Sequence, residues 1–232
     1  MKELSVVIPC YNEAPRIGMT LLSVLTYLDH HIPSYEVICV NDGSTDATDN
    51  IISSFATVNP KVRIYNHERN YGKGAAVKTG LLIAKSDTIL IIDADHSVPI
   101  TTLDTALDMF PEPFGVIKGQ REPGEFPLFR RVTHRLYHAI VRLMFGLRMD
   151  TQCPFTLLRL PGKLYLDLQC DGFSYDVELL VSAQQHGITI GSLNVEYRQV
   201  KGSKVTFTKA AKMLIELIDI KVRSIEEPTP LM

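Results

Sequence analysis

No two cysteines in the 232-residue chain stand in a C-x-x-C spacing, and none has a histidine at a companion distance. The four present (Cys10, Cys39, Cys153, Cys170) are widely scattered. Neither a metal-binding cysteine motif nor a disulfide framework can be read from them, and a reduced, cytosolic setting is the simplest inference. Cys10 and Cys39 fall in apolar strand patterns, where a cysteine behaves as a small buried hydrophobe. Also lacking is any uninterrupted apolar stretch of the roughly 18–20 residues that a membrane span needs, so any membrane contact is expected to be peripheral. A strand pattern begins within a few residues of the N-terminus, which leaves no signal peptide to read. Charge of one sign is missing too: 24 Lys and Arg against 26 Asp and Glu leave a net −2, no argument for a nucleic-acid partner. Internal repeats and low-complexity segments are absent. What remains is an ordinary globular composition, 45% hydrophobic and 22% charged, long enough for one large α/β domain.

Strand and helix patterns alternate from the start. Strand patterns lie at Leu4–Pro9, Tyr35–Val40, Val62–Asn66 and Ile89–Ile92. A helix is expected from about Ala14 to Leu28, with Ile17, Leu21, Leu22 and Leu25 at helical spacing, and a second is expected to be capped by Ser44 or Thr45. A small-residue helix follows Gly72-Lys73-Gly74. Four such alternations with short connections predict a parallel, doubly wound sheet whose strands end in polar clusters on one rim, where a ligand belongs. Gly72-Lys73-Gly74 lacks the full phosphate-loop spacing and reads as a tight turn feeding a helix, with Lys73 still able to lean toward a phosphate.

The chain is organised around Ile89-Leu90-Ile91-Ile92-Asp93-Ala94-Asp95-His96-Ser97. A strand buried on both faces ends in two carboxylates one residue apart. Such a pair either holds a divalent cation together with substrate phosphates or forms an acidic turn, with Asp95 capping the next helix. Further strands are expected at Phe114–Gly119, Thr156–Leu160 and Ile188–Val195. Between Glu125 and Asp150 there is no acid. Arg130, His134, His138 and Arg142 form one helical stripe there, and Phe129, Val132, Leu136, Ile140 and Leu143 another. That pattern fits a helix lying on an anionic membrane surface, or a core-packed helix with a solvated basic face. Asp176 and Glu178 open a further helix, where acids suit the dipole. Arg198 to Lys204 reads as a mobile, phosphate-seeking loop, 207–224 as an amphipathic helix, and 226–232 as a flexible tail.

Val7-Ile8-Pro9-Cys10-Tyr11-Asn12-Glu13, Val40-Asn41-Asp42-Gly43-Ser44 and Asp93-Ala94-Asp95, in this order, resemble family 2 glycosyltransferases of the GT-A fold. Asp150-Thr151-Gln152-Cys153, Phe173 to Leu180 and Lys201-Gly202-Ser203-Lys204 narrow the resemblance to dolichyl-phosphate β-glucosyltransferases and related polyprenyl-phosphate mannosyltransferases. It implies a single GT-A domain over 1–225, α/β and Rossmann-like, with a mostly parallel central sheet flanked by helices. Residues 1–120 would form the nucleotide-sugar half and 121–225 the acceptor half, with amphipathic membrane-surface helices near 127–149 and 207–224.

Position by position, it implies that Pro9, Tyr11, Glu13, Val40 and Asp42 hold the nucleoside and that Asp93 and Ala94 contact the donor. Asp95 would ligate Mg²⁺ or Mn²⁺, while Arg121, Arg198, Lys204 and Arg130 would contact phosphates. Asp150, Gln152, Asp176 and Glu178 form a second tier, the last two either orienting Arg198 or Lys204 or simply starting a helix. Three positions depart from the family pattern. Ser97 stands where relatives carry a metal-binding glutamine, Pro154 replaces a glycine, and Thr156 replaces a basic residue; Gln120 is a minor change.

The implied reaction is inverting and metal-dependent, moving a hexose, glucose from UDP-glucose favoured, onto dolichyl or polyprenyl phosphate. The enzyme would be peripheral on the cytoplasmic face of a membrane, with a membrane-protein partner or homo-oligomer left open. A GDP-mannose donor, a glycan acceptor and a non-catalytic nucleotide-sugar-binding subunit are the alternatives.

Overall fold

The computed structural model describes residues 3–110, 115–121, 128–160, 167–198 and 207–226, without the side chains of 128–131, 207–210 and 226. Seven strands, β1 (Leu4–Cys10), β2 (Tyr35–Asn41), β3 (Val62–Asn66), β4 (Ile89–Ile92), β5 (Gly115–Arg121), β6 (Phe155–Arg159) and β7 (Thr189–Val195), form one sheet in the order β3-β2-β1-β4-β6-β5-β7. Helices α1 (Ile17–His31), α2 (Thr48–Val58), α3 (Lys73–Ile83), α4 (Thr102–Asp108), α5 (Leu128–Phe145), α6 (Tyr175–Gln185) and α7 (Phe207–Glu226) alternate with them.

The apolar runs form strands because both sheet faces are covered. Val6 lies in register between Val37 and Leu90. Alternation sends Val6 and Ile8 into a layer with Leu21, Leu28 and Ile52, and Val7 into the opposite layer with Val77, Leu81, Leu179 and Leu217. The α/β reading therefore holds, and all four cysteines are buried and free. The exception to a parallel sheet is β6, antiparallel to both β4 and β5. Six strands run one way and β6 runs against them. The C-terminal ends of β4 and β5 and the entry to β6 consequently share one rim.

One local expectation changes, and an open one narrows. Helix α1 starts at Ile17, not near Ala14, and the N–H groups before it are bonded to the segment after β2. Asn12, Glu13 and Ala14 donate to Ser44 Oγ (2.9 Å), Thr48 Oγ1 (2.8 Å) and Asp46 Oδ2 (3.1 Å). Ser44 is thus bonded across to the first loop, and Asp46 accepts from the Thr48 N–H that opens α2 (3.0 Å). In α5, where the apolar stripe is open to a membrane or a core reading, most of it does not face the core. Val132, Leu136 and Leu143 are 55%, 60% and 88% exposed, whereas Tyr137 and Val141 are buried. Apolar residues nearly surround this helix, so packing chose the Tyr137–Val141 side.

Candidate active site

Sequence places Asp93 and Asp95 just past β4, and the surrounding elements fix their loop. Thr20 Oγ1 of α1 donates to the Ala94 carbonyl (2.8 Å). The Ser97 N–H donates to Asp95 Oδ1 (3.0 Å), and His96 between them takes a left-handed φ of 56°. After β7, the Arg198 N–H donates to the Ser97 carbonyl (2.8 Å), tying the strand's exit to this loop. The two carboxylates are not equivalent. Asp93 Oδ1 lies 2.6 Å from Lys73 Nζ, the first residue of α3. Burial alone would lower the Lys73 pKa, but Asp93, Asp176 and Asp95 outweigh it and push it up. The glycines around Lys73 serve packing: a Cβ on Gly72, whose φ is +121°, or on Gly74 would collide with the 170–172 backbone.

Among the positions expected to hold the nucleoside, Pro9 and Val40 are register partners. Val40 is fully buried between β1 and β3. Tyr11 and Glu13 are half-buried, with Glu13 Oε2 2.5 Å from Arg16 Nη2. Asp42 is 2% exposed. Its carboxylate accepts from Tyr71 N (3.0 Å) and Gly72 N (2.9 Å), with His67 Nδ1 at 2.7 Å from Oδ1. It organises the loop that delivers Lys73.

Where β5 leaves the sheet, Arg121 meets Asp150 at the entry to β6. Nε and Nη2 of the guanidinium reach Oδ2 (2.5 Å) and Oδ1 (2.9 Å), a bidentate pair. His138 and His134 of α5 place Nε2 3.3 and 3.6 Å from Asp150 Oδ1. Burial would raise the Asp150 pKa, but the two imidazoles and Arg121 hold it well below the usual carboxylate range. The Gln152 N–H also donates to Asp150 Oδ1 (3.2 Å), and the Arg121 guanidinium lies 5.2 Å from the Tyr197 ring centre. A cleft of about 670 Å³ opens here, with Arg121, Arg135, Arg142 and Arg148 on it and Leu143, Leu147 and Met149 as apolar wall.

The second-tier acids do not orient Arg198. Asp176 pairs with Lys118 at 2.5 Å. Glu178 accepts from Gln169 N (3.0 Å) and Cys170 N (2.8 Å) and pairs with Arg223 of α7. The reason is burial: both acids face the core, while the Arg198 side chain is exposed and bonds Glu196 (3.0 Å). Lys204 and the Arg130 side chain lie outside the described residues. Sequence reasoning missed Lys118, Tyr197 and the role of His134 and His138 beside Asp150. Lys118 had a signal, being a lysine inside a strand pattern without polar alternation.

Among the described residues two places could attract a cation. Asp95 offers carboxylate oxygen on the rim, the donor type that suits Mg²⁺ or Mn²⁺ sharing substrate phosphates; these residues fit. Ser97 is 2% exposed, with its backbone bonded on both sides, and makes a poor second ligand. His134, His138 and Asp150 bring ligand atoms within 4.8 Å of one another. However, Arg121 Nη2 lies 2.8 Å from His134 Nε2, the same nitrogen that faces the Asp150 carboxylate. A cation there would also lie against the guanidinium. The set belongs to Arg121.

A family model described as glycosyl transferase family 2 matches residues 5–170. The dolichyl-phosphate beta-glucosyltransferase of Mus musculus is 31% identical, over 96% of this chain and 76% of that protein. One from Trichomonas vaginalis is 30% identical, over 93% of this chain and 70% of that protein. Among solved structures, Mycobacterium tuberculosis glucosyl-3-phosphoglycerate synthase in complex with Mn²⁺, uridine diphosphate and glucosyl-3-phosphoglycerate superposes with a TM-score of 0.73 at 20% identity, covering 96% of this chain and 80% of that one. At that identity the likeness is one of fold.

Proposed function

Because this chain belongs to glycosyl transferase family 2, we propose that it is an inverting, metal-dependent enzyme that moves glucose from UDP-glucose onto dolichyl or another polyprenyl phosphate. The observation that carries the acceptor class is the cleft beside Arg121, with arginines on it and Leu143, Leu147 and Met149 as its apolar wall. A phosphate with an apolar tail suits both surfaces, whereas a glycan acceptor would leave the apolar wall unused. The dolichyl-phosphate beta-glucosyltransferases among the relatives support the same acceptor and sugar.

In this reading residues 1–120 hold the donor. Pro9, Tyr11, Glu13, Val40 and Asp42 surround the nucleoside, and Asp93 and Ala94 meet the sugar and ribose side. Residues 121–225 hold the acceptor, with Arg121, Arg130, Arg198 and Lys204 on phosphates. An acceptor phosphate oxygen bonds to C1 of glucose as the C1–O bond to the diphosphate breaks on the opposite face. That phosphate is already an anion at neutral pH, so it needs orientation more than a general base. Arg121, fixed by Asp150, supplies orientation. Asp95 would hold Mg²⁺ or Mn²⁺, which when bound offsets the charge growing on the leaving diphosphate.

Peripheral membrane placement is supported by α5 and α7, and the cytoplasmic face is part of the same proposal. Helix α5 has no acidic residue, and Leu136, Leu143, Ile215 and Ile218 are 60%, 88%, 67% and 59% exposed. No helix among the described residues is long and apolar enough to cross a membrane. The test is incubation with labelled UDP-glucose, UDP-GlcNAc or GDP-mannose, polyprenyl phosphate and Mn²⁺ or Mg²⁺. Label entering the lipid phase from UDP-glucose alone is the expected result. Transfer from GDP-mannose instead would reassign the donor, and label found only on a soluble glycan would overturn the acceptor.

A further inference from the structure

Lys118 is 1% exposed, an ammonium buried on β5, one strand in from the sheet's edge. Its Nζ donates to Asp176 Oδ1 (2.5 Å) and to Thr156 Oγ1 (2.9 Å). Thr156 is its direct cross-strand partner in the β5–β6 ladder, and Asp176 stands in the first turn of α6. A buried ammonium costs heavily unless paired, and a buried pair adds little stability over an apolar replacement. Fold stability therefore gives a weak reason for this pair.

The surroundings of Asp176 give a better one. Lys73 interacts electrostatically with Asp176 while its Nζ contacts Asp93 Oδ1 at 2.6 Å, and the Lys73 ammonium stands 5.8 Å from the centre of the Tyr175 ring, next in sequence to Asp176. Charges alternate from the sheet interior to the rim: Lys118, Asp176, Lys73, Asp93. Asp176 and Asp93 compete for the one ammonium of Lys73.

We propose that Lys118 is a positioning residue for sugar transfer: by satisfying Asp176 it leaves Lys73 to hold the donor-side carboxylate Asp93. This rests on the reading of Asp93 as a donor contact. Without Lys118, the buried Asp176 draws Lys73 inward. Asp93 then loses the contact that fixes its place on the donor side.

The test is a double-mutant cycle of Lys118→Met, Lys73→Met and the double variant. Lys118→Met is expected to lower kcat/KM for UDP-glucose roughly 10- to 100-fold, the cost of a misplaced contact, while KM for polyprenyl phosphate stays unchanged. Acting through Lys73, the Lys118 change should add nothing to the Lys73→Met loss. Losses that add would overturn the proposal, as would a Lys118→Met enzyme that melts earlier but keeps its donor kcat/KM. The same four proteins give a cycle in Tm that needs no substrate. Coupled Tm losses are expected, and additive ones overturn the network whatever the donor proves to be. If no variety of nucleotide sugar is used by the wild type, the functional reading falls and the Tm cycle still decides this one. Should Lys118→Met fail to fold, the exchange Lys118→Thr with Thr156→Lys returns an ammonium to the same place from the neighbouring strand. A tenfold loss of donor kcat/KM in that folded exchange variant would equally overturn the proposal.

Discussion

Asp150 is buried against a guanidinium and two imidazoles, and the effect of changing it follows from that crowding. Asp150→Asn keeps the shape but leaves Arg121 without its counter-charge, at a cost of about 3–5 kcal/mol. For a protein of this size the loss lowers Tm by roughly 10 °C. Because the folded pKa is depressed, this stability is fully present above the unfolded carboxylate value of about 3.9 and is lost as pH falls below it. The Tm difference between wild type and variant should therefore stay constant from pH 8 to 5 and shrink only in stronger acid; a difference that vanished by pH 6 would contradict the pairing. Asp95 calls for a different measurement. Asp95→Ala should cost roughly 10²–10³ in kcat, the scale for removing one electrostatic stabiliser, and should abolish metal-dependent UDP-glucose binding; unchanged turnover would sink the mechanism. At this scale the sequence was informative where chemistry is local. Asp93 and Asp95 end a buried strand, so their place on the rim could be read directly. Lys118 and Asp176 are 58 residues apart, and nothing in the pattern of either predicts their meeting.

Helix α5 carries its functional argument on two faces. His134 and His138 turn toward Asp150, while Val132, Leu136 and Leu143 stay exposed. The basic and apolar stripes were legible from helical spacing. Which stripe is buried was not, because Tyr137 and Val141 offered packing a third face. Cations near an anionic membrane surface contribute about 1 kcal/mol each, so neutralising Arg135 and Arg142 together should weaken binding to phosphatidylserine vesicles roughly 30-fold. Leu143→Ser should weaken binding to neutral vesicles as well, since burying a leucine is worth about 1.5–3 kcal/mol, yet leave Tm unmoved because the side chain is 88% exposed. Sedimentation with both vesicle types separates the two contributions. Binding unchanged in both variants would remove α5 from the membrane face.

Across the whole molecule, the first four strands and their order of alternation followed from apolar runs and short connections, but the reversal of β6 did not. A strand buried on both faces reads the same in either direction, and only the neighbours that pair with it decide. That reversal brings Asp150 to Arg121, and through the β4–β6 and β6–β5 pairings sets them on the same rim as the end of β4. Donor binding should consequently stabilise the whole fold and not one half of it. On the proposed reading a metal would have one protein carboxylate, Asp95, while Ser97 is buried in the turn, so most of its ligands would come from the nucleotide sugar and water. Mn²⁺ alone should barely move Tm. UDP-glucose and Mn²⁺ together, at about 100 times the dissociation constant, should add about 2.7 kcal/mol and raise Tm by roughly 5–11 °C in a single transition. Chelation with EDTA should return Tm to its ligand-free value, measured by circular dichroism at fixed pH. An equal rise with Mn²⁺ alone would mean that the protein itself supplies a complete metal site, and the one-carboxylate arrangement at Asp95 would have to be abandoned.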